Sequence, residues 1–135
     1  MEGCIFCEII SGKVKSYKVY ENDWVLCVLD IHPVNMGHCL LMPKDHYKDM
    51  FDMDEDTYFE IREAIKNVVK IMEENLNAVR IKVIHSSGEG DNDERFHFHI
   101  HLIPHYEGEN VDYLARDRYT EKDFQKIADK ININC

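Results

Sequence analysis

His97-Phe98-His99-Ile100-His101-Leu102-Ile103-Pro104-His105-Tyr106 alternates histidine with apolar residues over its first six positions. A period of two is that of a β-strand, which sends successive side chains to opposite faces. Phe98, Ile100 and Leu102 then point one way, and His97, His99 and His101 the other. On a helix the same three histidines would spread over more than half the circumference. Pro104 agrees with the strand, because proline can end a strand but breaks a helix.

The surrounding elements follow from this strand. Val79 to His85 is β-branched and alternating, and reads as a second strand joined to the first through the polar loop Ser86 to Arg95, an antiparallel hairpin. Before it, Ile61, Ile65, Val68, Val69, Met72 and Leu76 recur at three-and-four spacing, which predicts a long amphipathic helix from about Asp54 to Leu76, capped by Asp52 or Asp54. Tyr17 to Tyr20, Trp24 to Leu29 and His38 to Met42 read as three further strands. The first two are separated by the turn Glu21-Asn22-Asp23, and Pro43 ends the third. Cys4 to Ile10 predicts a short helix stopped by Gly12, and Thr120 to Ile131 a C-terminal helix with Thr120 as cap. The expected fold class is α+β: an antiparallel sheet of about five strands, one long helix and short terminal helices.

The chain has 135 residues, 44% of them hydrophobic and 31% charged, which fits one globular domain with a real core. No segment approaches the roughly 20 apolar residues of a membrane span, and Met1-Glu2-Gly3-Cys4 lacks the pattern of a signal peptide, so a cytoplasmic location is expected, with the nucleus left open. A formal charge of −10 argues against nucleic acid as a partner and does not oppose a small phosphorylated ligand. Five cysteines are an odd count and poor material for a disulfide framework.

Three histidines in alternation admit several chemistries. They can be ordinary surface residues. They can ligate a metal, with three imidazoles making a catalytic zinc site. They can also act on phosphorus: a neutral imidazole is a nucleophile near pH 7, and its phosphorylated form hydrolyses readily. Cys4 and Cys7 have a spacing that lets two thiolates share one zinc, which needs two more ligands, or that serves redox chemistry. Cys27 and Cys39 read as buried small residues, and Cys135 as a tail thiol.

The segment His97 to Ile103 resembles the signature of the histidine-triad (HIT) superfamily of nucleotide hydrolases and transferases. Asp30-Ile31-His32-Pro33, Gly37-His38 and Met42-Pro43-Lys44-Asp45-His46 resemble the first half of that family at the expected intervals, and Cys4 to Ile10 the opening of its zinc-containing members. The resemblance covers about residues 4–106, within a single domain 1–135 that adds a C-terminal segment 107–135. It implies hydrolysis or transfer at the α-phosphate of a purine nucleotide, such as a nucleoside phosphoramidate or a dinucleoside polyphosphate, through a nucleotidyl-histidine intermediate. His99 is then the nucleophile, His101 assists at the phosphate or leaving group, and His38 supports them. Asp30 matches the carboxylate that holds the ribose, Ile5, Phe6, Ile9 and Ile31 match positions around the base, and Ser86 replaces a usual asparagine at the phosphate. The resemblance also implies a structural zinc on Cys4, Cys7, His46 and His97, and a homodimer. Asp93 and Glu94 depart from the family pattern, because a carboxylate repels a phosphate. An alternative is therefore a nucleotide-binding, zinc-stabilised interaction module with little catalysis.

Overall fold

In the computed structural model, residues 3–87, 97–111 and 119–132 are described. Five strands, β1 (Lys18–Glu21), β2 (Val25–Leu29), β3 (Cys39–Pro43), β4 (Arg80–Ile84) and β5 (Ile100–His105), form one antiparallel sheet in the order β1-β2-β3-β5-β4. The helices are α1 (Ile5–Ile10), α2 (Glu55–Leu76) and α3 (Glu121–Ile131). Asn22 turns the first hairpin, its side-chain Oδ1 accepting from the backbone N–H groups of Trp24 (2.8 Å) and Val25 (2.9 Å).

The α2 apolar stripe, Ile61, Ala64, Val68, Met72 and Leu76, packs with Phe124, Ile127 and Ile131 of α3 against Val19, Cys27, Leu41, Phe98, Ile100 and Leu102 of the sheet region. Asp54 caps α2 by accepting from Thr57 N–H at 2.8 Å, and Asn77 ends it in a left-handed conformation with φ 61°. Thr120 and Asp123 form a reciprocal capping box at α3. The opposite face carries a smaller apolar cluster, Leu26, Val28 and Met42, covered by Phe6, Ile9 and Ile10 of α1. Cys27 and Cys39 are fully buried in the larger core, as their reading as small core residues requires.

Two expectations are corrected. The ladder of β5 begins only at Ile100, so His97, Phe98 and His99 are not strand residues and His101 is the one triad histidine within it. The alternation of faces nevertheless holds along the whole stretch, with Phe98, Ile100 and Leu102 all in the larger core. Pro104 lies inside β5, paired with Ile81 of β4. It is tolerated because β3 is no longer alongside: the Pro104 carbonyl accepts from the Asn35 side chain at 3.0 Å, so the missing N–H falls on that same side, where no strand requires it.

Candidate active site and metal centre

At the end of β3 and β5 the four sulfur and nitrogen residues named from the sequence converge. Cys4 caps α1, its Sγ 3.4 Å from the Cys7 N–H donor, and Cys7 lies one turn on. The Nδ1 atom of His97 is 3.5 Å from Cys4 Sγ, 3.5 Å from Cys7 Sγ and 3.1 Å from His46 Nδ1, and Cys7 Sγ is 3.3 Å from His46 Nδ1. A tetrahedral zinc with ordinary Zn–S and Zn–N bonds separates its ligand atoms by about 3.3 to 3.7 Å. The three thiol–imidazole distances fall in that range and the imidazole–imidazole distance of 3.1 Å is slightly shorter, and the four donors include both soft thiols and imidazoles. His97 Nε2 donates to the Pro43 carbonyl at 2.9 Å, which turns the unprotonated Nδ1 toward the thiols, the outer hydrogen bond a metal-binding histidine requires. Burial lowers the His97 pKa to about 4, so this imidazole is neutral and keeps its lone pair. Burial, with the neighbouring Cys4 side chain, raises the Cys7 pKa.

A second group, Asp30, His38 and His101, also clusters closely enough to be considered for a metal. Its hydrogen bonds argue otherwise. Val34 N–H donates to His38 Nδ1 at 2.9 Å, so the proton of neutral His38 resides on Nε2. That N–H faces His101 Nδ1 at 2.9 Å, with an Asp30 carboxylate oxygen farther away at 3.5 Å. His38 therefore has no lone pair to offer a cation, and His101, accepting at Nδ1, carries its proton on Nε2. The trio is a hydrogen-bonded relay, and His97 and His101 belong to different clusters. A zinc held by all three triad histidines does not fit this arrangement.

His99 stands between the two groups. Its Nδ1 donates to the His97 carbonyl at 2.8 Å, which makes Nε2 the unprotonated nitrogen. The rings of Phe6 and His99 are tilted against each other with centroids 4.7 Å apart, and the His99 and His101 rings meet edge to face at 5.2 Å. One imidazole thus presents a lone pair and its neighbour an N–H.

The remaining residues named from the sequence divide. Asp30 is buried and accepts from His32 N–H at 2.8 Å. Phe6 and Ile9 pack under the sheet. Ile5 and Ile31 are 49% and 54% exposed, unlike core residues. Ser86 is exposed beyond the end of β4. Asp93, Glu94 and the rest of 88–96, like Cys135, lie outside the described residues. Three elements of the site escaped the sequence reading, the Val34 N–H, the Pro43 carbonyl and the His97 carbonyl. All three are backbone groups, so no side-chain pattern announces them.

The sheet with a string of imidazoles at one end and a Cys/His cluster beside it defines a small α+β domain built around histidine chemistry. The chain belongs to the HIT domain family, whose profile matches residues 11–108. It is 31% identical over 134 residues to Protein hit of Bacillus subtilis, covering 96% of this chain and 92% of that protein. With the adenylylsulfatase HINT3 of Arabidopsis thaliana it shares 30% identity over 77% of this chain and 53% of that protein. Among solved structures, a hypothetical histidine triad nucleotide-binding protein of Sulfolobus tokodaii superposes with a TM-score of 0.84 at 28% identity, covering 95% of this chain and 89% of that one. A zinc-bound histidine triad family protein of Mycobacterium smegmatis does so at 0.80 and 27%, covering 96% and 93%. Among the described residues, no helix is long and apolar enough to cross a membrane.

Proposed function

We propose that this chain is a nucleotide hydrolase or nucleotidyl transferase that acts at the α-phosphate of purine nucleotides, with His99 as nucleophile. The observation that carries the reading is the hydrogen bond from His99 Nδ1 to the His97 carbonyl, which directs an unprotonated Nε2 toward the site. Nε2 attacks the α-phosphorus; a P–N bond to His99 forms as the bond to the leaving amine or phosphate breaks. The His101 Nε2–H donates to the phosphoryl oxygens or to the leaving group, and His38 holds His101 in the tautomer that allows it. Water then cleaves the nucleotidyl–His99 bond and releases the nucleoside monophosphate. Asp30 accepts from the ribose hydroxyls, Ile5, Phe6, Ile9 and Ile31 border the base, and Ser86 takes part at the phosphate.

Cys4, Cys7, His46 and His97 would hold a structural zinc, a Lewis acid that here fixes α1 to the sheet and takes no part in the reaction. The relatives' names support this reading: one is an adenylylsulfatase, one nucleotide-binding, one zinc-bound. None of the described cysteines Cys4, Cys7, Cys27 and Cys39 is in a disulfide, which suits the proposed reducing, cytoplasmic setting.

The chain would function as a homodimer. Edge strand β4 exposes Val83 and Ile84 on its two faces and is flanked by exposed Val79, a β-branched apolar edge that a second copy would cover.

Adenosine 5′-monophosphoramidate is the test substrate. His99→Ala and His99→Asn are expected to lose turnover by at least about a thousandfold. A quenched reaction of the wild type should show a nucleotidyl adduct on His99, and full activity in either variant would remove His99 from the mechanism.

A further inference from the structure

The loop from Asp30 to His38 brings both of its functional side chains to the relay, and Asn35 and Met36 fasten it to the far end of β5 and the residues just beyond. Asn35, buried, donates through Nδ2 to the Pro104 carbonyl at 3.0 Å and to Glu109 Oε1 at 2.7 Å. The same Glu109 oxygen accepts from Tyr106 N–H at 2.7 Å, and the Tyr106 hydroxyl donates to the Met36 carbonyl at 2.7 Å. On its backbone side, Asn35 accepts from His38 N–H at 3.1 Å, and the residue before it, Val34, supplies the N–H that defines the His38 tautomer. Asn35 is therefore the joint between the end of β5 and the group that decides which His38 nitrogen carries hydrogen.

We infer that Glu109 and Asn35 are positioning residues for the His38–His101 pair: the carboxylate–amide buckle holds the Val34 N–H on His38 Nδ1 and so keeps His101 Nδ1 an acceptor. Neither residue reaches the phosphate; they act through the loop. The inference rests on the proposed roles of His38 and His101.

The chemistry needed of Glu109 is acceptance. One oxygen takes two N–H donors, a task that a glutamine Oε1 performs in the same place. Alanine leaves the inner amide hydrogen of Asn35 without its acceptor in a buried setting, and the side chain gains by turning away. The loop then loses the Asn35 part of its fastening, while the Tyr106–Met36 bond remains. His38 can rotate or change tautomer, and His101 loses the donor that orders it. Asn35→Asp is harsher, because it sets a carboxylate against both Glu109 and the Pro104 carbonyl.

Long-range 1H–15N spectra of 15N-histidine-labelled full-length protein report which ring nitrogen carries hydrogen. The wild type should show His38 and His101 as Nε2–H tautomers. Glu109→Ala should mix the His38 pattern and lower kcat on adenosine 5′-monophosphoramidate at least tenfold with little change in KM, while Glu109→Gln retains the wild-type pattern and most of kcat. Asn35→Asp should reproduce the alanine result, and adding Glu109→Gln should recover part of the ordered pattern, since glutamine donates to Asp. An unchanged His38 pattern in Glu109→Ala, an equal loss in Glu109→Gln, or no recovery in the double variant would overturn the inference. Absence of turnover in the wild type would defeat the functional reading alone, because the tautomer comparison does not depend on it.

Discussion

The backbone carbonyl of His97 lies 2.8 Å from Nδ1 of His99, while the His97 ring faces Cys4 and Cys7 with its own Nδ1. One residue thus belongs to the candidate metal centre with its side chain and orients the proposed nucleophile with its backbone.

This coupling predicts that metal removal acts on both stability and turnover. The purified protein should contain one zinc per chain. When zinc is a hundredfold above its dissociation constant, the bound ion stabilises the fold by about 2.7 kcal/mol. Chelation, or Cys7→Ser, should therefore lower Tm by roughly 10 °C for a domain of this size. Turnover should fall as the His97 carbonyl loses its position. Metal analysis beside thermal melts with and without chelator decides it; a melt indifferent to chelator would remove the zinc from the structure.

Replacement of His38 isolates the relay. His38→Ala removes the donor at His101 Nδ1, so the His101 proton is no longer confined to Nε2. A fall in kcat of about a hundredfold is expected, in the range of a general acid–base contribution, with KM little affected. Steady-state kinetics on the phosphoramidate test this. A change confined to KM would make His38 a binding residue instead.

Gly37 occupies a position that tolerates no side chain. Its φ is +86°, and a Cβ there would stand 2.9 Å from Leu76 Cδ1 and 3.1 Å from Pro104 Cγ. Gly37→Ala should destabilise the fold by about 2 kcal/mol, combining the left-handed backbone penalty with displaced core atoms. The urea midpoint reads this directly. A midpoint equal to wild type would mean that the loop relaxes without loss.

Stability should fall on acidification in part through His105. Burial, assisted by Arg80, lowers its pKa below the ordinary histidine value, although Glu109 at 3.7 Å opposes the shift. The folded state then binds the proton less readily than the unfolded chain. Its contribution is complete above the unfolded pKa, near 6.5, and is lost as pH falls through the lower folded value. Denaturant midpoints from pH 7.5 to 5 should decline less steeply in His105→Gln than in wild type; parallel slopes would exclude His105 as a source.

The edge of β4 gives the last prediction. Val83→Lys places a charge on a residue 49% exposed in the single chain. A homodimer that buries this edge should dissociate by at least about tenfold in the association constant, as a charge would have to be buried unpaired. Sedimentation or light scattering reads the change. A wild-type monomer at working concentration would refute the assembly.

Much of this molecule was legible in the chain because it rests on periodicity and on local chemistry. The period of two from His97 to Leu102 assigned the faces, and the three-and-four spacing from Ile61 to Leu76 gave α2, because burial on one side requires those intervals. Asp54 and Thr120 announced their helices as caps, since the groups they satisfy lie within three residues. The strand's true start at Ile100 was not legible: the alternation continues through His97 to Phe98, but a ladder needs a partner strand, and β3 stops pairing at Leu41. The same limit applies to Pro104, whose place inside β5 depends on where its neighbour ends.

The division of labour proposed for the three histidines shows the boundary most clearly. Their residue types and intervals already suggested a nucleophile and metal ligands. The two nitrogens of an imidazole, however, are chemically alike until something binds one of them. That choice is made by the Pro43 carbonyl for His97, the His97 carbonyl for His99 and the Val34 N–H for His38. Every residue carries such groups, so the sequence cannot mark which of them matter. Only the folded chain brings each one to its ring.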